Sequence, residues 1–272
     1  MVGQTKPSGA RIHPTALVAK GARLGEGVEI GPFCIVGPEV VIGAGTKLVS
    51  HVVLAGRTTL GEGNIVYPFA SLGQASPDRK YKGEAATLVI GDHNDIREGV
   101  TMHIGTAVDK GTTRVGNHNL FMAGSHVAHD CVVGNHCILA NYAQLAGHVE
   151  LSDHVNIGGL SGVHQHVRIG WGAIVGGHTA VDYDVPPFAS VAGRRASLKG
   201  LNLIGLRRRG FEKSVIAALD EAYDLLFDDD DRPLAERATK LKRRTKVKEV
   251  KLVAEFVLAS QRGVTAYEDD TQ

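Results

Sequence analysis

His129 and Asp130 stand side by side in the stretch HVAHDC at 126–131. A neutral imidazole held by an adjoining carboxylate is a ready general base. Eighteen residues further on come Gly147 and His148, and eighteen beyond those come Gln165 and His166. If residues eighteen apart are stacked in space, a glycine N–H lies one rung from the imidazole, where its dipole can stabilise a developing oxyanion. Imidazole, acid and amide are together the parts needed for acyl transfer. Whether they meet depends on the elements that carry them.

Those elements are written in a six-residue repeat. Stepping by six from Ile12 gives Val18, Leu24, Ile30, Val36, Ile42, Leu48, Leu54, Leu60, Val66 and Leu72, then Ile90, Ile96 and Met102. After a slip of one the series resumes at Val115 and runs through Phe121, Val127, Val133 and Leu139 to Val181, with no charged member. An α-helix repeats near 3.6 and a half-buried strand near 2, so neither sustains a period of six. A parallel β-helix does, with three flat faces per eighteen-residue coil and coils stacked ~4.8 Å apart. Residues eighteen apart then form columns, among them Asn117, Asn135 and Asp153, and beside them His118, His136 and His154.

The register also sorts side chains by direction. Cys34, Cys131, Cys137 and Ser125 each follow an inward aliphatic by four, the place of small core residues, which disfavours a covalent Ser or Cys mechanism. His129 follows Val127 by two, an outward or corner place, and is expected to be accessible. His118, His136, His154 and His178 read as members of solvated corner ladders. Two polar stretches, at about 73–87 and 105–113, interrupt the repeat and read as loops thrown outward; in solenoids such insertions often mark the binding face. The repeat is expected to stop at Val185-Pro186-Pro187, since proline cannot donate to a ladder.

From about Leu201 the periodicity turns helical. Ser214 is expected to cap a helix through Phe227, with Val215, Leu219, Ala222 and Leu226 on one face. Asp231 and Pro233 mark a second start, and Val247, Val250, Val253 and Val257 a third helix ending before Gly263. The division expected is a prism over 1–192 and a small helical domain over 193–272.

Lys+Arg number 30 and Asp+Glu 29, a balance that does not suggest a nucleic-acid binder. Thirty-four glycines with only 5% aromatics fit many turns around a core of small aliphatics. Three cysteines, an odd number, argue against a disulfide framework and for a reducing cytoplasm. The polar start, Met1 to Arg11, lacks the apolar run of a signal peptide, and no run of eighteen apolar residues suits a membrane span.

Several stretches, in order and at compatible spacing, resemble the bacterial UDP-N-acetylglucosamine O-acyltransferase family of hexapeptide-repeat enzymes. They are IHPTA at 12–16, IGPFCIVGP at 30–38, KYKGE at 80–84, HVAHDC at 126–131, LAGHV at 145–149, GVHQ at 162–165, DVPPF at 184–188 and LRRRGF at 206–211. The resemblance implies a left-handed parallel β-helix that assembles as a homotrimer, with sites between neighbouring subunits. It implies acyl carrier protein as donor, UDP-N-acetylglucosamine as acceptor, no cofactor, and the first step of lipid A biosynthesis. By matching motif, His129 takes the proton from the sugar 3-hydroxyl, Asp130 supports the imidazole and Gly147 supplies the oxyanion N–H. Sugar contacts fall to Asp78, Lys80, His126, His148, His164 and Gln165. Nucleotide contacts fall to Asn202, Arg208 and Arg209, and Gly177 helps set acyl-chain length.

Blander readings stand beside these. Asp78 and Lys80 read equally as solvated loop charges. Lys240, Lys242, Arg243, Arg244, Lys246 and Lys248 suit either an acidic carrier protein or a solvated helix face. The Asp228–Asp231 run reads as a loop. The chain departs from the family pattern at Ile204, where an acidic residue is common, and across Arg194–Lys199. Rival functions are another hexapeptide acyl- or acetyltransferase, a zinc hydratase on the same prism that uses three histidines, and a purely structural solenoid.

Overall fold

The computed structural model describes residues 9–228 and 232–267. Residues 1–8 of the polar start, Asp231 at the expected helix start and most of the acidic run fall outside that set.

Strands of mostly two residues stack into three parallel sheets of eleven, nine and eight strands. Each strand pairs with the one a full coil away, as Ile12 does with Ile30 and Val127 with Leu145. The repeating aliphatics point inward, and from the second coil onward they are buried: Ile30, Leu48, Val66, Ile96, Phe121, Leu139, Ile157 and Val175 are each at most 2% exposed. Full burial of one such side chain contributes ~1.5–3 kcal/mol. Polar residues at the inner corners are hydrogen-bonded along the axis. The Asn94 amide donates to Asn64 Oδ1 at 3.0 Å, and the Asn119 amide donates to the Gly134 carbonyl at 2.9 Å.

The two insertions leave the prism at one and the same corner. Across the first, paired residues such as Asn64 and Asn94 are 30 apart, a multiple of six, so the phase survives. Across the second, Asn94 and Asn119 are 25 apart, which accounts for the slip of one. The corner that sheds both loops is the corner that carries His129.

The ladder does not stop at the prolines. Val185 bridges Ile169, and the strand Ala189–Ala192 pairs parallel with Ile174–Val175 before Ser197–Leu201 folds back antiparallel. Pro186 holds the place of Ser152 and Gly170, whose N–H groups donate to the next coil, so the proline ends that run in its own sheet while the neighbouring sheet continues through Ala189–Ala192. The expected division near 192 therefore runs through a paired hairpin.

Four helices follow: α1 (Leu203–Arg208), α2 (Lys213–Phe227), α3 (Leu234–Arg244) and α4 (Lys248–Leu258). α1, at six residues, is too short to register as a period and was not expected. Ser214 lies inside α2, whose N-cap position is Glu212 and lacks a side-chain cap bond. Leu219, Ala222, Tyr223 and Leu226 form the buried face of α2, while Val215 is only half-buried. The Tyr223 hydroxyl donates to the Pro187 carbonyl at 2.5 Å and pins α2 to the prism.

Buried Asp184 ties the last coil to α4. Its Oδ2 accepts from Arg168 Nε and Nη2 at 3.0 and 2.9 Å and from the Ser260 hydroxyl at 2.9 Å. Arg168 also donates to the Phe256 carbonyl of α4. A buried carboxylate so fully paired is the form in which such a charge is tolerated. Among the described residues no helix is long and apolar enough to cross a membrane.

Candidate active site

His129 Nδ1 lies 3.0 Å from Asp130 Oδ2. An ionised carboxylate only accepts, so Nδ1 carries the proton and the Nε2 lone pair is left to act as base. Asp130 itself is locked. Its backbone is left-handed (φ 58°), a region aspartate tolerates, and the side chain is fully buried. The Thr106 N–H donates to both carboxylate oxygens at 3.0 and 3.1 Å, the Thr106 hydroxyl donates to Oδ2 at 2.7 Å, and the Asp130 N–H donates to Thr113 Oγ1 at 2.9 Å. Burial opposes the charge, yet the Thr106 and His129 hydrogen bonds, with His148 nearby, outweigh it and hold the carboxyl below its ordinary pKa. Gly105 makes the clamp fit, since a Cβ there would sit 2.8 Å from Asp130 Oδ1 and 2.2 Å from the Thr112 nitrogen. The second loop is thus built around the carboxylate.

The coil period places Gly147 as expected, directly against the imidazole. A Cβ at 147 would lie 2.6 Å from His129 Cε1 and 2.7 Å from Nε2. The Gly147 N–H makes no hydrogen bond among the described residues. The expectation that His129 is accessible is corrected, because the residue is only 6% exposed. It occupies a corner as read, but His148 of the next coil closes over it edge-on, ring centroids 5.0 Å apart, and the second loop covers the Asp130 side.

The ladder continues above. His148 Nδ1 meets Asp109 Oδ2 of the second loop at 2.7 Å, and His148 stacks on His166 at 4.3 Å. His164 Nδ1 lies 2.7 Å from Arg262 Nη2. Arginine only donates, so His164 accepts at Nδ1 and carries its proton on Nε2. Gln165, beside it, is exposed. His126 Nδ1 is 2.7 Å from the Thr101 hydroxyl, and its ring meets His103 edge-on at 5.1 Å. Burial first, then the neighbouring His103 and His129, push the His126 pKa down to about 4. Thr106, Asp109, His103 and Arg262 were not foreseen as parts of this corner. Only the phase slip at 105–113 pointed toward the first two.

Other expected residues lie elsewhere in one chain. Asp78 Oδ1 accepts from the Lys80 N–H at 2.9 Å within the first loop, whose Glu84 accepts from the Ala107 N–H of the second at 3.2 Å. No hydrogen bond joins Asp78 or Lys80 to His129. Gly177 is exposed at a different corner, beside Gly159. Asn202 caps α1 by accepting from the Gly205 N–H at 2.9 Å and donates to the Gly172 carbonyl at 3.0 Å, which engages both ends of its amide. Arg208 is exposed, and Arg209 donates to the His154 carbonyl at 3.2 Å. The columns read from spacing are present, with His118, His136 and His154 stacked at 5.1 and 4.9 Å. Cys131 and Cys137 are buried, with thiol pKa values pushed up to about 12 mainly by burial, and neither is a nucleophile there.

His129, Asp130 and His148 place ligand atoms within 4.8 Å of one another, the one such set among the described residues. As folded, both Asp130 oxygens already accept from Thr106, and Nδ1 of each histidine is committed to a carboxylate. The carboxylate is thus already occupied, whereas an Nδ1–carboxylate pair leaves Nε2 free and suits a base and a metal ligand alike.

The depressed histidines predict acid sensitivity. Burial is the leading cause of the lowered pKa of His103, His126, His154 and His166. A histidine held neutral in the fold binds its proton more readily when unfolded, so its stabilisation is complete above ~6.5 and is lost as pH falls toward the folded value. The melting temperature is expected to drop between pH 6.5 and about 4, and His126→Asn is expected to flatten that slope. An unchanged slope in the variant would remove His126 from the account.

Comparison with known proteins shows the family. A family model described as "Udp N-acetylglucosamine O-acyltransferase; Domain 2" matches residues 184–265, and one described as "Bacterial transferase hexapeptide (six repeats)" matches 21–56 and 112–147. The acyl-[acyl-carrier-protein]--UDP-N-acetylglucosamine O-acyltransferase of Rhizobium johnstonii is 49% identical over 219 residues, 80% of each protein. The crystal structure of UDP-N-acetylglucosamine O-acyltransferase from Moraxella catarrhalis superposes with a TM-score of 0.88 at 44% identity, covering 93% of this chain and 99% of that one. The UDP-N-acetylglucosamine acyltransferase of Campylobacter jejuni gives 0.90 at 39% identity, covering 95% and 100%. On repeat, corner and relatives together, this chain belongs to the UDP-N-acetylglucosamine O-acyltransferase family of hexapeptide-repeat transferases.

Proposed function

We propose that the chain moves a (3-hydroxy)acyl group from acyl carrier protein to the 3-position of the glucosamine ring of UDP-N-acetylglucosamine, the first step of lipid A biosynthesis, in the cytoplasm. The observation that carries this reading is the Thr106–Asp130–His129 relay with Gly147 packed on the imidazole. His129 Nε2 takes the proton of the sugar hydroxyl as its oxygen attacks the thioester carbonyl. The tetrahedral oxyanion accepts the Gly147 N–H, a bond of the kind worth ~2.7–4 kcal/mol. Collapse breaks the C–S bond, and the imidazolium returns its proton to the departing thiolate. Asp130 does not titrate in this cycle; its charge stabilises the imidazolium. No acyl-enzyme is needed, consistent with the buried thiols and with buried Ser125.

Around that centre, His126, His148, His164 and Gln165 line the acceptor sugar. Asp78 and Lys80 reach it from the first loop, and Arg208 and Arg209 meet the diphosphate, with Asn202 beside them holding the turn into α1. On this reading the site is completed by a neighbouring subunit of a homotrimer. The exposed apolar corner formed by Phe33, Phe69, Tyr142 and Leu160, each at least 55% exposed, supports such an assembly. Gly177 borders the acyl chain, and the basic face of α3 and the start of α4 receives the acidic carrier protein.

One assay tests the reading: purified protein, UDP-N-acetylglucosamine and a panel of acyl-carrier thioesters, with products weighed by mass spectrometry. Transfer of acetyl from acetyl-CoA alone would select another hexapeptide transferase. Stoichiometric zinc, lost with activity on chelation, would select the hydratase. Asp78→Ala and Lys80→Ala are expected to raise KM for the nucleotide sugar about tenfold with smaller change in kcat, the result of losing one charge-assisted contact each. A fall in kcat at constant KM would move these residues to the reacting centre.

A further inference from the structure

The helical region holds a cleft of about 450 Å³ that shares Lys240 and Arg244 with the basic face of α3 but takes no part in the chemistry at His129. That lies within the ~300–1,000 Å³ range of small-ligand sites. Two helix faces make it. α2 contributes Ala218, Glu221, Ala222 and Leu225, and α3 contributes Arg237, Lys240, Leu241 and Arg244. Each set follows the spacing of one helical face. The two alanines leave the gap, Val250 of α4 lines it too, and Leu225 stays 51% exposed beside it. Arg232 also lines the cleft and has a partner of its own. Among the described residues Lys240 and Arg244 make no ion pair, whereas Lys242, outside the cleft, binds Glu255. Arg237 gives Nη1 to the Asp228 carbonyl at 2.8 Å, yet its buried Nε–H has no hydrogen-bond partner. Glu221 is the only acid on the wall among the described residues.

From this cleft we infer a second, non-catalytic binding site for a single-chain amphiphile with an anionic head, such as a medium-chain fatty carboxylate or alkyl phosphate. The head pairs with Arg237, Lys240 and Arg244, whose guanidinium forks match two oxygens of a carboxylate or phosphate. The chain lies along Leu225, Leu241 and the alanine floor. An apolar body alone would leave the cations unpaired, and a bare anion would leave the leucines wet, so neither fits as well. The inference is independent of the acyl-transfer reading and survives its failure.

Calorimetric titration of the intact protein with decanoate, decyl phosphate, decanol and inorganic phosphate tests it. Decanoate or decyl phosphate is expected to saturate a site that decanol and inorganic phosphate do not fill, and the preferred head is read from the first two. Lys240→Glu with Arg244→Glu, both exposed, is expected to weaken that binding at least about tenfold, the loss of charge-assisted hydrogen bonds. Ala218→Trp, which fills the floor without touching a charge, is expected to do the same. An amphiphile that binds only in the catalytic groove would be unaffected by both variants, and that result overturns the proposal. Equal binding of decanol, or of inorganic phosphate, overturns it as well.

Discussion

His129→Ala is expected to lower kcat by about 10²–10⁴-fold, the usual cost of losing a general base, with KM for the nucleotide sugar nearly unchanged. The imidazole sits where proton transfer must occur, and the relay behind it fixes which nitrogen is the base. Thr106 keeps its three contacts to Asp130 when the imidazole is removed, so the carboxylate remains paired and the fold is expected to persist. Steady-state kinetics across pH, alongside thermal melting, separates the two effects. Turnover within a few-fold of wild type, or a variant that loses kcat only because it melts, would end the general-base assignment. A purely structural solenoid predicts no loss of turnover beyond instability.

Much of the architecture could be read from residue spacing because a prism is a one-dimensional object: each coil contacts its neighbours at fixed offset. The six-residue period therefore gave both the inward set and vertical neighbours such as His129 and Gly147, without any need to solve a three-dimensional packing problem. What escaped is what the period does not encode. The clamp on Asp130 comes from Thr106, 24 positions earlier, through an insertion whose path no repeat dictates. The accessibility of His129 was overstated because outward direction at a corner says nothing of what folds across it. The prolines at 186–187 were read as a stop of the whole ladder, whereas the bond they forgo belongs to one sheet and another sheet carries the ladder on. Ser214 was placed as a cap by type alone, and it lies inside the first turn of α2, two residues past the N-cap position. A period of six is equally silent on coil hand and on assembly.

Gly147→Ala is the sharpest test of the geometry, because it adds one methyl group and no charge. The added carbon would lie 2.6–2.7 Å from His129 Cε1 and Nε2, closer than nonbonded carbon contacts permit, so ring or backbone must move by several tenths of an ångström. If the ring yields, Nε2 leaves the line to the sugar hydroxyl. If the backbone yields, the N–H is carried off the oxyanion. Either displacement is expected to cost about 10²–10³-fold in kcat, comparable to removing an oxyanion donor. The strain is local: the carbonyl of Gly147 still accepts from the His166 N–H, so melting is expected to shift by only a few degrees. The double variant with His129→Ala discriminates further. Once the imidazole is gone the methyl group has room, and if Gly147 matters only by making space for the ring, the second substitution costs nothing more. If its N–H also binds the oxyanion, a residual loss depends on whether that amide is shifted in the double variant, which its crystal structure would reveal. Wild-type turnover in the single variant would mean that the amide and the imidazole do not converge on one reacting carbon, and the mechanism built on that convergence would fall.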